Sequence, residues 1–246
     1  MYRSRVWQTF RKRTIFALVT LSLLAGCAAA PPSPETRELM RKAEAGDVES
    51  QFRLGSLYDM GYGGPAMASE TEKWYKLAAE AGHSEAQNSM GSIYQAEKRY
   101  TEALPWYEKA AAQNNALAIN NLAYLYDEGL GVEQDREKAR KLYLKSANLG
   151  EAQAMYNLGL MYGSEQLGKP DPVVACAWTF RAVKYSSGPG ALEYQPAAKN
   201  ADICKRNLNA KDYESARKLA ESWKPSLIEQ ATPTANSNQM TSPPGL

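Results

Sequence analysis

Residues 114–150 read NNALAINNLAYLYDEGLGVEQDREKARKLYLKSANLG, and their reading decides the fold, because the chain repeats them. The stretch carries Leu122-Ala123, then Tyr126, then Leu142-Tyr143, and runs from Asn114 to Gly150. Leu54-Gly55 and Met90-Gly91 precede the first pair and Leu158-Gly159 follows it, at steps of 36, 32 and 36. Tyr58, Tyr94 and Tyr162 keep those steps with Tyr126. Trp74-Tyr75, Trp106-Tyr107 and Trp178-Thr179 match Leu142-Tyr143 at steps of 32, 36 and 36, the second copy having the shorter loop. Gly46, Gly82, Asn114 and Gly150 mark the boundaries. Three markers in register over four copies are an internal repeat.

Each copy reads as two helices. In 47–60, Ser50, Leu54, Leu57 and Tyr58 recur with helical period, as do Trp74, Leu77, Ala78 and Ala81 in 70–81. Ser69 with Glu72 and Ser84 with Gln87 have capping-box spacing, and Asp171-Pro172 supplies an N-cap followed by proline. Gly82 and Gly150 fall where a helix ends and a left-handed residue is needed. Pro105 is expected in the first turn of its helix, where it bends the chain.

The Leu-Gly-x-x-Tyr of the first helix, the loop Asp127-Glu128-Gly129-Leu130-Gly131-Val132 with Asp135 after it, and Ala139-x-x-Leu142-Tyr143-x-x-Ser146-Ala147 resemble the Sel1-like repeats, relatives of tetratricopeptide repeats. The resemblance spans about 46–184 and implies an all-α fold, a right-handed α-solenoid of helix-turn-helix repeats with a concave face. A helix pair of this kind cannot bury its apolar stripe alone, so neighbours must stack on it. Repeats are expected at about 46–81, 82–113, 114–149 and 150–185. Helices at 35–45 and at 191–208 and 210–223 cap the ends, giving eleven helices over a solenoid of 35–224.

The N-terminus reads differently. Residues 1–13 are basic and 14–25 largely apolar. Twelve helical residues rise about 18 Å against a hydrocarbon core of about 30 Å, so 1–26 is a signal peptide rather than a span. Leu24-Ala25-Gly26-Cys27 resembles a bacterial lipobox, which implies lipidation of Cys27. Cleavage at Ala28-x-Ala30 is the rival, but it leaves Pro31 just after the scissile bond. The Pro-rich 27–34 reads as a tether and 225–246, rich in Pro, Ser, Thr and Asn, as a disordered tail. By resemblance to sorted lipoproteins, Ala28 points to the outer membrane of the cell envelope, facing the periplasm.

Removing 1–26 takes five basic groups from the +2 chain and leaves 24 basic against 27 acidic residues. That balance speaks against nucleic acid, whose phosphates call for a basic surplus. At 44% hydrophobic and 23% charged, the composition is that of a globular chain with a sizeable core. The single histidine, His83, excludes a multi-histidine metal site and leaves one residue on which Ser-His or Cys-His catalysis could run. His83 stands at a repeat boundary where other copies have Asp47, Asn115 and Glu151, which makes it a solvated structural residue. No cofactor, metal or small-molecule substrate is expected.

Cys176 and Cys204 are the thiols left once Cys27 is lipidated. They sit on successive helices, and an oxidising compartment favours a disulfide between them over two free packed thiols. Ser215-Ala216-Arg217-Lys218 matches the Ser-x-x-Lys of penicillin-recognising enzymes. With 18 Ser and 16 Lys in 246 residues, about one such pair arises by chance, and the companion motifs are missing.

Beside the fixed stripe of each first helix runs a variable one. The resemblance puts first helices on the concave face, so this stripe is the candidate partner-binding surface: Phe52, Arg53, Asn88, Asn120, Asn121, Tyr124, Tyr156 and Asn157. Amides bond a peptide backbone, and tyrosines add contact area with a polar tip. The expectation is a non-enzymatic adaptor, lipid-anchored in the envelope, for an unidentified protein or peptide. The alternatives are a cell-wall-active or β-lactam-binding enzyme and a structural spacer without a ligand.

Overall fold

The computed structural model describes residues 32–62, 68–186 and 195–224. The signal segment 1–26, Cys27, most of the tether, the start of the helix expected at 191–208 and the tail 225–246 lie outside the described residues. Among the described residues there are eleven α-helices, no strands and one 3-10 turn, Glu165–Leu167. The helices are α1 Pro34–Glu44, α2 Val48–Asp59, α3 Ala68–Glu80, α4 Ser84–Ala96, α5 Tyr100–Ala112 and α6 Ala116–Glu128. They continue as α7 Arg136–Asn148, α8 Ala152–Gly163, α9 Pro172–Ser186, α10 Gln195–Asn207 and α11 Ala210–Ser222. The architecture is that of an α-solenoid of helix-turn-helix repeats, in two compact units that divide after Ala78, inside α3.

In the first unit, Ala43 of α1, Leu54 of α2 and Trp74 of α3 form a small core flanked by Leu39, Met40, Leu57 and Tyr58. The buried face of α3 is rotated from the one its periodicity suggests, toward Thr71, Tyr75 and Ala79. Trp74, Tyr75 and Ala78 are buried, Leu77 is exposed, and Ala81 falls beyond the helix end, exposed. In the second unit one cluster joins α5 and α6 through Ala103, Tyr107, Ile119, Leu122 and Leu125. A second joins α7, α8 and α9 through Tyr143, Met155, Leu158, Met161 and Trp178. A third sets α9 and α10 on α11 through Ala177, Cys176, Cys204, Ala216 and Ala220.

The repeat markers have a steric origin. A Cβ on Gly91 would stand 2.5 Å from Cε1 of Tyr107, so the glycine lets the ring of α5 lie against the backbone of α4. Gly55 and Tyr75 are related in the same way, with 2.7 Å to Cδ1. The tyrosine hydroxyls then reach polar groups on the first helix: Tyr107 donates to Oε1 of Gln95 at 2.9 Å, and its hydroxyl lies 3.3 Å from that of Ser92.

Boundary residues turn the chain. Gly46, Gly82 and Gly150 have φ of 91°, 97° and 93°, and Asn114 takes the same role at 60°. The residue that follows each of them outranks the expected capping boxes. Asp47, His83, Asn115 and Glu151 are the N-caps of α2, α4, α6 and α8. His83 accepts from the Ala86 N–H through Nδ1 at 3.3 Å, which makes it a capping histidine whose side chain is 14% exposed rather than solvated. Ser84 is therefore already helical, and its hydroxyl donates to Glu85 instead of closing a box with Gln87. Gln87 is buried, and its Nε2 donates at 3.1 Å to the Ala79 carbonyl, a second bond to an acceptor at the end of the preceding helix that also takes the Gly82 N–H. Ser69 is the second residue of α3, not its cap.

Pro105 is the sixth residue of α5, not in its first turn, and removes the bond residue 105 would donate to the Thr101 carbonyl. Asp171 caps α9 as expected, its Oδ1 accepting from Val173 and Val174 at 3.1 and 3.0 Å. Arg181 is 4% exposed on α9, with its guanidinium 4.3 Å from the Trp178 ring and 5.1 Å from Trp223, and its Nη2 donates to the Leu219 carbonyl at 2.6 Å. Burial pushes its pKa down to about 10.

Candidate protein-interaction surface

The variable stripe divides between the two units. In the first, Phe52 is half-buried and stacks on Tyr75 with ring centroids 5.8 Å apart, while Arg53 is exposed with Nε 3.5 Å from Glu49.

In the second unit four of the expected residues form one chain of amides. Asn157 on α8 donates to Oδ1 of Asn120 on α6 at 3.0 Å. Asn120 donates to Oδ1 of Asn121 at 3.4 Å, and Asn121 donates to Oδ1 of Asn88 on α4 at 3.0 Å. The chain joins the first helices of three successive repeats. This corrects the expectation for Asn120, which is 1% exposed and faces the neighbouring helix rather than a partner. Helical geometry explains the difference, because consecutive residues point about 100° apart and only one of Asn120 and Asn121 can face outward. Asn88, Asn121 and Asn157 are half-buried, part structural bond and part accessible surface.

Tyr124 is 39% exposed on the next turn of α6. With Asn121 it lines an open pocket of about 270 Å³ whose other walls are Ser92, Gln95, Tyr100 and Tyr107. Burial, and then the charge of Glu128, hold the Tyr124 phenol above its ordinary pKa, so it stays a hydroxyl donor across the neutral range. One turn further on, Asp127 is 8% exposed, and its Oδ1 has no hydrogen-bond partner. The nearest cation, Nε of Arg136, is 4.0 Å away, and burial pushes the Asp127 carboxyl up. Tyr156 of α8 is half-buried and accepts from Nδ2 of Asn200 on α10 at 3.4 Å.

Three of these participants escaped sequence reasoning. Tyr107 reads as a fixed packing marker, Gln95 stands one position beyond the marker Tyr94, and Asn200 lies on a helix without the Leu-Gly pair. The repeat register held the signal for Gln95, whose equivalents are the polar Asp59 and Asp127.

Cys176 and Cys204 are bonded, Cα to Cα 5.8 Å, tying α10 to α9. Ser215 is exposed and donates to the Lys211 carbonyl at 2.9 Å, a bond within its own helix turn. Among the described residues no group of three or more His, Cys, Asp or Glu is placed to hold a metal ion, and no helix is long and apolar enough to cross a membrane.

Comparison with known proteins agrees with this geometry. The Sel1 repeat model matches four times, at 48–83, 84–115, 116–151 and 152–184. The ERAD-associated E3 ubiquitin-protein ligase component HRD3 of Candida glabrata is 40% identical over 70 residues, which are 28% of this chain and 8% of that protein. Among solved structures, c5321, a protective antigen of uropathogenic Escherichia coli strains displaying an SLR fold, superposes with TM-score 0.69 at 27% identity. That match covers 87% of this chain and 47% of c5321. A Sel1 repeat protein from Oxalobacter formigenes superposes with TM-score 0.57 at 28% identity, over 75% of this chain and 77% of that one. The chain spans less than a quarter of the length of its sequence relatives. With four matched repeats over more than half of its length, the chain belongs to the Sel1 repeat family.

Proposed function

We propose that this protein is a non-enzymatic adaptor of a bacterial cell envelope, held at a membrane by a lipid on Cys27 and presenting the first-helix surface of its repeats to a partner protein. The observation that carries the reading is the open pocket lined by Tyr124, Asn121 and Tyr100 over buried Tyr107, where aromatic and amide groups lie side by side. Such a mixture suits an extended peptide: rings give contact area at low entropy cost, and amides pair with backbone groups. A surface built on packed helices is preorganised, so little ordering opposes binding. HRD3 carries the name of a ligase component, which is in keeping with matching repeats serving within an assembly. The anchor reading rests on the basic start, the short apolar stretch and Leu24-Ala25-Gly26-Cys27.

Photo-crosslinking in intact cells tests the adaptor. A photoreactive analogue at Tyr124 is expected to yield one discrete protein adduct, absent when the probe replaces exposed Lys141 on α7. No adduct above background from Tyr124 or from Tyr156 would reject it in favour of a spacer without a ligand. Cys27→Ala tests the anchor independently, and is expected to leave the protein unprocessed or to move it from the membrane to the soluble fraction.

A further inference from the structure

The fourth repeat departs from its siblings at three positions that meet in space. Where the second helices of the first three repeats carry Tyr75, Tyr107 and Tyr143, α9 carries Thr179. Where the first helices carry Ser56, Ser92 and Tyr124, α8 carries Leu160, and where they carry Asp59, Gln95 and Asp127 it carries Gly163. The ring is gone, and so are the polar groups that receive the Tyr107 hydroxyl in the second repeat.

A pocket of about 430 Å³ lies at this place, lined by Leu160, Gly163 and Thr179 as the smaller one is lined by Ser92, Gln95 and Tyr107. Its far wall is α10, with Ile203, and Leu208 just beyond the helix end, and the Cys176–Cys204 disulfide lies along it. Leu160 is 46% and Ile203 43% exposed, two large apolar side chains left facing solvent across the same opening. The Thr179 hydroxyl is spent on the Ala175 carbonyl at 3.0 Å, and Asn200, at the rim, donates to Tyr156.

We propose that this pocket is a specificity site that takes one phenylalanine side chain from the partner, the ring replacing the one that the fourth repeat lacks. The proposal rests on the adaptor reading and names the chemistry of its ligand. The pocket has room for one ring beside Thr179, whose Oγ1 and the Ala175 carbonyl already stand 2.9 and 3.1 Å from where a Cβ on Gly159 would lie, and a polarizable disulfide is a favourable neighbour for the ring's edge. A hydroxyl on that ring would point toward Leu160 and Gly163 and lose its hydrogen bonds, so the site selects phenylalanine over tyrosine.

Titration of the full chain with N-acetyl-phenylalaninamide, N-acetyl-tyrosinamide and N-acetyl-leucinamide, read by saturation-transfer NMR, tests this without a partner. The phenylalanine probe is expected to bind at least about fivefold more tightly than the other two. Ile203→Trp, at the exposed mouth, is expected to abolish binding with unchanged far-UV circular dichroism. Leu160→Ser restores the hydroxyl of Ser92 and is expected to bring the tyrosine probe level with phenylalanine. Equal binding of all three probes, no saturable binding, or binding that survives Ile203→Trp would overturn the site. That result beside an intact Tyr124 adduct rejects the pocket alone, whereas ring binding without an adduct rejects the adaptor.

Discussion

Nδ2 of Asn121 donates to Oδ1 of Asn88 at 3.0 Å, across 33 residues of sequence and between the first helices of adjacent repeats. Asn157 repeats the relationship with Asn120 one copy further on, at 3.0 Å. The residues expected to read a partner are thus already reading one another. A buried amide left without its partner costs the desolvation of that group, so this chain fixes the register of the helices that present the surface.

Asn120 is the member with most at stake. Asn120→Ala leaves Asn157 and Asn121 each short of a partner and opens a small void, and a loss of about 2 kcal/mol is expected. Asn121→Ala lets water reach half-buried Asn88 and removes from buried Asn120 only the longer 3.4 Å bond, so a smaller loss, about 1 kcal/mol, is expected. Urea denaturation followed by circular dichroism measures both. Equal losses, or a larger one for Asn121, would refute the burial argument.

The Leu-Gly pairs make a sharper steric prediction. Gly91→Ala places a methyl group 2.5 Å from the Tyr107 ring and is expected to destabilise by about 1–3 kcal/mol. The third repeat shows the limit of the rule, since Ala123 is tolerated opposite buried Tyr143. The variant Gly91→Ala with Tyr107→Phe keeps the clash, whereas Gly91→Ala with Tyr107→Thr relieves it. Thermal melts that fail to separate these two double variants would reject the ring contact as the reason for the glycine.

What the sequence made legible follows from these contacts. Helix pairs, and the eleven helices among the described residues, were readable because a glycine under a tyrosine, and a left-handed residue between helices, each admit few substitutes. Single-residue direction was not. Asn120 and Asn121 carry the same chemistry, and only packing against α8 decides which turns inward. The box at Ser84 failed for a related reason: His83 stands one residue earlier with an acceptor nitrogen of its own, and takes the N-cap. The pocket of the fourth repeat was hidden because Thr179 reads as a weakened marker until α10, which carries no marker, supplies the opposite wall.

Cys176 and Cys204 close a loop with a sequence separation of 28. On the chain-entropy relation such a bridge stabilises by about 3–4 kcal/mol, and because α10 is tied by it directly to α9, its loss should be felt there first. Peptide mapping of non-reduced protein is expected to recover the two cysteines joined. Cys176→Ser with Cys204→Ser is expected to lower the unfolding free energy by that amount and to speed amide exchange in α10 more than in α6. Recovery of both cysteines as free alkylatable thiols would refute the bridge.

Asp127 makes the stability of the second unit depend on pH with a sign opposite to that of a paired carboxylate. Burial, and then Glu128, raise its folded pKa above the ordinary 3.8, and Arg136 opposes them only weakly from 4.0 Å. A raised carboxyl favours the protonated form in the folded chain. Its contribution is therefore complete below the unfolded value and is lost as pH rises through the folded one. At pH 7 the fold carries a buried carboxylate oxygen with no hydrogen bond, and Asp127→Asn is expected to stabilise by about 1 kcal/mol. At pH 3, where Asp127 is neutral in both states, the variant and the parent are expected to match to within about 0.3 kcal/mol. Paired urea titrations at the two pH values measure the difference. A variant that destabilises at pH 7, or gains as much at pH 3, would mean that Arg136 outweighs burial at this site.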